Sequence, residues 1–198
     1  MPASASEVTP GARASGAARQ GNPRRRPALA YLLRVAVAMA VFYGLLYFPY
    51  PPDSLPVRAI SGYLRGVAAV SAAFVRLFDA GARAHGDVID GRFSMRIVLD
   101  CAALDAHALL AAAVLVFPAR WRQRIAGVVA GTLVVAAVNV ARIAVLYVVG
   151  VRWPSAFPVV HEEVLQIAII LATFSVFGGW IAIVRRAELA PAVPAAAP

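Results

Sequence analysis

The sequence predicts an all-α integral membrane protein: about four transmembrane helices, one interfacial amphipathic helix and a short extracytoplasmic β-hairpin. Three observations predict it. Of the 198 residues, 61% are hydrophobic and the mean hydropathy is +0.74, above what a soluble domain carries. Four apolar runs come close to or exceed the ~20 residues that cross a bilayer core of ~30 Å. The 19 basic residues are all arginine, and most of them lie outside those runs. No large soluble domain fits beside the spans. The single cysteine, Cys101, excludes an intramolecular disulfide and any multi-cysteine metal site.

Residues 1–27 are rich in Ala, Gly, Ser, Pro and Arg and end near Arg24, Arg25 and Arg26. They have no apolar period and read as a disordered basic tail. A signal peptide is the rival reading, but the apolar run that follows is too long and no small-residue cleavage pattern comes after it. That run, residues 28–48, is the first span, free of charge from Val35 to Pro52. Tyr43, Tyr47 and Tyr50 lie toward its far end, where interfacial aromatics belong. The prolines of PYPPDSLP stop the helix.

Residues 57–84 carry Arg58, Arg65, Arg76 and Arg83, spaced by 7, 11 and 7. On a helix these fall within roughly 20° of one line, opposite Ile60, Leu64, Val67, Phe74, Val75 and Phe78. An arginine stripe against an apolar face suits a helix lying in the interface better than one crossing hydrocarbon; hydropathy alone leaves both open. Asp90-Gly91 is a two-residue hairpin signal. After it Phe93, Met95, Ile97 and Leu99 alternate with Arg92, Ser94 and Arg96, the period of an amphipathic strand. The hairpin is placed at about 87–99. Spans at 101–118, 125–149 and 160–184 follow, and residues 185–198 form a second tail.

Four spans put both tails and the 118–124 loop on one side. That side holds Arg13, Arg19, Arg24, Arg25, Arg26, Arg34, Arg120, Arg122, Arg124, Arg185 and Arg186. The other side holds Arg58, Arg65, Arg76, Arg83, Arg92, Arg96 and Arg152, with Arg142 set aside as intramembrane. The excess of arginine near the spans makes the tails cytoplasmic. These arginines fit topology and attraction to acidic lipid, so membrane lipid is an expected partner and nucleic acid is not.

Under this topology three side chains from separate helices approach the outer leaflet: Cys101 at the head of one span, Arg142 about 10 Å deep in the next, and His161 opening the last. A thiolate is an effective nucleophile. Histidine can pass its proton to a leaving amine, and arginine in a low-dielectric wall can stabilise an oxyanion. Asn139, three residues before Arg142 on the same helix face, is a candidate to orient it or bind substrate backbone. Bland readings stand beside these. Cys101 can be inert packing, His161 with Glu162 and Glu163 an ordinary helix start, and Arg142 with Asp105 a structural salt bridge. Burying Arg142 in a span costs ~2.5 kcal/mol or more, which argues for a role.

At these residues the sequence resembles the exosortase/archaeosortase family, in a compact form like the exosortase H branch. The resemblance rests on Cys101 heading a span, on NVARI (Asn139 to Ile143), on HEEVLQ (His161 to Gln166) and on Phe117-Pro118 before a basic loop. It covers about residues 85–184. One departure is Ala103, where the family often has glycine. The resemblance implies a cysteine peptidase or transpeptidase in the bacterial plasma (inner) membrane, multi-pass, with both termini cytoplasmic and the active site extracytoplasmic. Its substrates would be exported proteins bearing a C-terminal sorting signal of motif, transmembrane helix and basic tail. Cys101 would be nucleophile, His161 general acid/base and Arg142 oxyanion or substrate stabiliser. Beside these, Asn139, Asp105 and Glu162 are candidate substrate-binding or supporting residues. No cofactor or metal is implied. The alternative is a non-catalytic membrane scaffold with a structural Arg142–Asp105 pair. A small transporter fits less well, because the inner halves of the spans offer no polar path.

Overall fold

The computed structural model describes residues 25–189. The predicted tails up to residue 24 and from residue 190 lie outside the described residues. Helix α1 (Arg25–Leu46) begins within the arginine cluster, and its long apolar side chains, among them Leu29, Leu32 and Leu33, are exposed. In a membrane these face lipid. It packs on the rest mainly through α3 (Leu104–Val116), where the Tyr31 hydroxyl donates to the Ala113 carbonyl at 3.0 Å.

Three helical stretches are long and apolar enough to cross a membrane: Pro27–Leu46, Trp121–Arg152 and Pro154–Leu189. The predicted span at 101–118 is shorter than expected. Its helix, α3, has only 13 residues, about 20 Å of rise, and lies among α1, α4 (Trp121–Arg152) and α6 (Leu165–Leu189). Helix α4 is longer than predicted, with 32 residues or about 48 Å. That exceeds the ~30 Å of hydrocarbon. Between α4 and α6 the chain turns through Pro154–Ala156, the short α5 (Phe157–Val159) and a π-helical turn, Val160–Val164. Helix α6 continues to Leu189, past the predicted start of the tail at residue 185.

The predicted helix over 57–84 is replaced by α2 (Leu55–Val75). Pro56 is tolerated in its first turn. The four arginines do not share one helix: Arg76 caps α2, and Arg83 opens strand β1 (Arg83–His85). Asp79 explains the ending. Its carboxylate accepts from the Gly81 and Arg92 amides at 3.1 and 3.0 Å, and such side-chain bonds compete with helix propagation.

The hairpin becomes a three-stranded antiparallel sheet of β1, β2 (Val88–Asp90) and β3 (Met95–Arg96). His85 pairs with Val88, so the two-residue turn is Gly86-Asp87, with Gly86 at φ +64°, and not Asp90-Gly91. Gly91 has a different role. A Cβ there would overlap the Tyr147 hydroxyl of α4. The predicted alternation does set the faces: Met95 and Ile97 are buried while Arg92, Ser94 and Arg96 are exposed. The sheet packs on the end of α2 and, through Phe93, against Gly150 and Tyr147 of α4.

Candidate active site

After β3 the chain stays extended through Val98 and makes one 3-10 turn, Leu99–Cys101. Ala103 then adopts φ +51°, ψ +31°, and α3 starts afresh at Leu104. This left-handed residue breaks what would otherwise be a continuous helix. Carbonyls before the break therefore need partners from elsewhere. Three consecutive ones find them on other helices. The Asp100 carbonyl accepts from Arg142 Nη1 at 3.1 Å, that of Cys101 from Asn139 Nδ2 at 2.9 Å, and that of Ala102 from the Tyr63 hydroxyl at 2.9 Å. The turn bearing the thiol is thus pinned to α2 and α4.

His161 lies in the π-helical turn, a wide turn type that recurs at functional sites. Its Nε2 is 3.0 Å from Cys101 Sγ. The Phe157 ring stacks on the imidazole with centroids 5.7 Å apart, and Phe93 of the sheet backs Phe157 at 5.3 Å. Arg142 is 5% exposed; its Nη2 donates to Gln166 Oε1 at 3.2 Å, while its Nε is buried without a partner. A polarisable thiol, an imidazole in contact with it and a buried guanidinium tied to the same turn are the groups that acyl transfer uses.

The family model for transmembrane exosortases (Exosortase_EpsH) matches residues 29–184. The chain belongs to the transmembrane exosortase family. The match runs from the second turn of α1 almost to the end of α6, and so takes in every helix, the sheet and the Cys101 turn. As an exosortase, the protein is a membrane protein of the sorting-transpeptidase family. No curated protein and no solved structure matches the chain.

Of the six residues singled out in the sequence, this exosortase brings Cys101, Asn139, Arg142 and His161 together. Cys101 is not in the first turn of α3 but on a separate turn ahead of it. The Arg142–Asp105 salt bridge is absent. Among the described residues the one ion pair within 4.0 Å is Arg96–Asp87, at 3.8 Å. Asp105 instead lines a cleft with Tyr43 of α1 and Gln166 of α6, and a scaffold loses the pair it was expected to rest on. Glu162 is exposed and makes no hydrogen bond to the site among the described residues. Tyr63, Phe157 and Gln166 were not assigned roles. Gln166 had a visible signal, since it sits five positions after His161 at the end of the quoted HEEVLQ segment. Tyr63 had a weaker one, a hydroxyl among the small and apolar residues that follow it on α2.

Beneath the Cys101 turn, an apolar groove of about 500 Å³ opens between α2, α3 and α4. Gly66, Val67 and Val70 of α2 line it together with Ala136, Asn139 and Val140 of α4 and Leu104 and His107 of α3. By contrast, Gly127 and Gly131 of α4 are already covered by Trp180 and Leu110 within the fold.

Proposed function

We propose that this exosortase is a cysteine peptidase or transpeptidase that cuts C-terminal sorting signals of exported proteins at the outer face of the bacterial plasma membrane. The single observation that supports it most is the 3.0 Å contact between Cys101 Sγ and His161 Nε2. His161 takes the thiol proton as the sulfur attacks the scissile carbonyl. The resulting oxyanion is stabilised by the Arg142 guanidinium, an interaction strengthened by the burial of Arg142. The C–N bond then breaks, His161 returns the proton to the leaving amine, and a thioester remains on Cys101. Water or an acceptor amine attacks that thioester and frees the thiol.

Helix length supports the depth assigned to the site. From Trp121 to Arg142, α4 rises about 32 Å, one hydrocarbon thickness. With the arginines Arg120, Arg122 and Arg124 at the cytoplasmic boundary, Arg142 falls at the outer boundary and the sheet stands above it. The apolar segment after the scissile bond would run down the groove between α2, α3 and α4. Cys101 is 3% exposed, so the peptide displaces side chains that cover the sulfur when it binds. Co-expression of a secreted protein carrying a C-terminal span and basic tail tests the proposal. Cys101→Ala, Arg142→Ala and His161→Ala should each leave it unprocessed; normal processing by Cys101→Ala ends the proposal.

A further inference from the structure

A buried arginine usually rests against a carboxylate, because an unpaired buried charge is costly. Arg142 does not. The groups that hold it are neutral oxygens: the Asp100 carbonyl on Nη1 and the Gln166 amide oxygen on Nη2. No Asp or Glu among the described residues lies within 4.0 Å of it. A carboxylate would satisfy the same N–H groups with stronger, charge-assisted bonds, but it would also cancel the charge. The Gln166 amide oxygen accepts the bond without bringing a charge of its own.

We propose that Gln166 is a positioning residue that holds Arg142 beside the Cys101 turn through a neutral acceptor, keeping its positive charge available to the reacting thiol and carbonyl. This rests on the enzymatic role given to Arg142 above. The titratable groups on the surrounding elements include Asp100 beside the thiol, Asp105 and His107 on α3, His161, Glu162 and Glu163 on the π turn, and Tyr63 on α2. Of these, the ring of His161 touches the sulfur.

Gln166→Glu separates this role from simple hydrogen-bond satisfaction. Glutamate reaches the same distance and accepts the same bond. If the side chain served only to satisfy Arg142, the variant would match or exceed the wild type in every respect. The readout is the rate of Cys101 alkylation by iodoacetamide in the full-length protein in detergent, followed against pH. It needs no substrate, so its outcome is independent of whether a sorting signal is cut. With the charge neutralised, the alkylation rate at pH 7 should fall about tenfold and the midpoint should rise by about one pH unit. In an Arg142→Gln background Gln166→Glu should add nothing further. An alkylation profile that superimposes on the wild type overturns the proposal, as does a fall of equal size in the Arg142→Gln background. If Gln166→Glu does not accumulate as folded protein, Gln166→Met decides, because it removes the acceptor without adding charge. A midpoint raised above the wild type, as the guanidinium loses its hold beside the thiol, supports the proposal; a wild-type midpoint overturns it.

Discussion

The Cys101 sulfur lies 3.0 Å from Nε2 of His161, although 60 residues separate the two in the chain. Contact at that distance between a thiol and an imidazole allows direct proton transfer. His161→Gln should therefore lower processing of a sorting-signal substrate by a factor of about a hundred or more and slow alkylation of Cys101 near neutral pH. Phe157→Ala, which removes the ring stacked on the imidazole, should lower processing less and leave a folded protein. Gel shift of the substrate checks the processing, and mass spectrometry of the alkylated protein checks the alkylation.

Arg142 reaches two acceptors on different segments, the Asp100 carbonyl and Gln166 Oε1. The planar guanidinium has separate N–H groups aimed at both, whereas a lysine ammonium is a point donor on a flexible stem. Arg142→Lys keeps the charge and loses the geometry. It should accumulate in the membrane yet process substrate about a hundredfold more slowly, the loss typical of a misplaced oxyanion donor. Rates within threefold of the wild type would show that charge alone suffices.

The sequence made the convergence of Cys101, Arg142, His161 and Asn139 legible because Cys101 and His161 open apolar runs, while Arg142 and Asn139 are polar groups within one, in its outer half. It did not reveal that Cys101 occupies its own turn. Ala103 carries no local signal for a left-handed conformation, which is there because Tyr63, Asn139 and Arg142 take up the freed carbonyls from other helices. The stripe of Arg58, Arg65, Arg76 and Arg83 misled for a related reason. A helical period in exposed residues costs nothing to maintain across a helix end, so it does not mark where the helix stops. Alternation between Arg92 and Ile97 was more informative, since one face there is buried.

Ala103 has φ +51°, in the left-handed region that favours glycine. The left-handed region costs a non-glycine residue about 1–2 kcal/mol. Ala103→Gly relieves that strain, but it removes a buried methyl worth about 0.8 kcal/mol and adds backbone entropy to the unfolded chain. The terms nearly cancel, so Ala103→Gly should melt within a few degrees of the wild type and stay active. Ala103→Val has no such compensation. A β-branched residue in that conformation, added to a 2% exposed site, should cost about 3 kcal/mol. Thermal melting in detergent measures both.

Gly66 lines the groove on α2, and a Cβ added there meets no atom within 4 Å. Gly66→Leu should therefore fold normally and place a bulky side chain in the groove. If the substrate's apolar segment lies there, processing should fall about tenfold with a raised KM, while iodoacetamide reacts with Cys101 at the wild-type rate. Unchanged processing would move the substrate segment to another face.

Asp79 ties the sheet to α4: the Tyr147 hydroxyl donates to its Oδ2 at 2.6 Å, and the Arg92 amide donates to the same oxygen at 3.0 Å. The Tyr147 hydrogen bond, and then that of Arg92, hold its carboxyl below the ordinary aspartate value. The folded protein thus binds this proton less tightly than the unfolded chain. The stabilising contribution is complete above the unfolded value of about 4 and is lost as pH falls through the lower folded value. The melting temperature should be level in this respect from pH 7 to pH 5 and decline below pH 4. Asp79→Asn should melt lower than the wild type at pH 7 and show a shallower acid decline. Because the sheet carries Phe93, which backs the Phe157 ring stacked on His161, the variant should also process substrate more slowly at pH 7. Parallel acid profiles for the two proteins would remove Asp79 as the group that titrates.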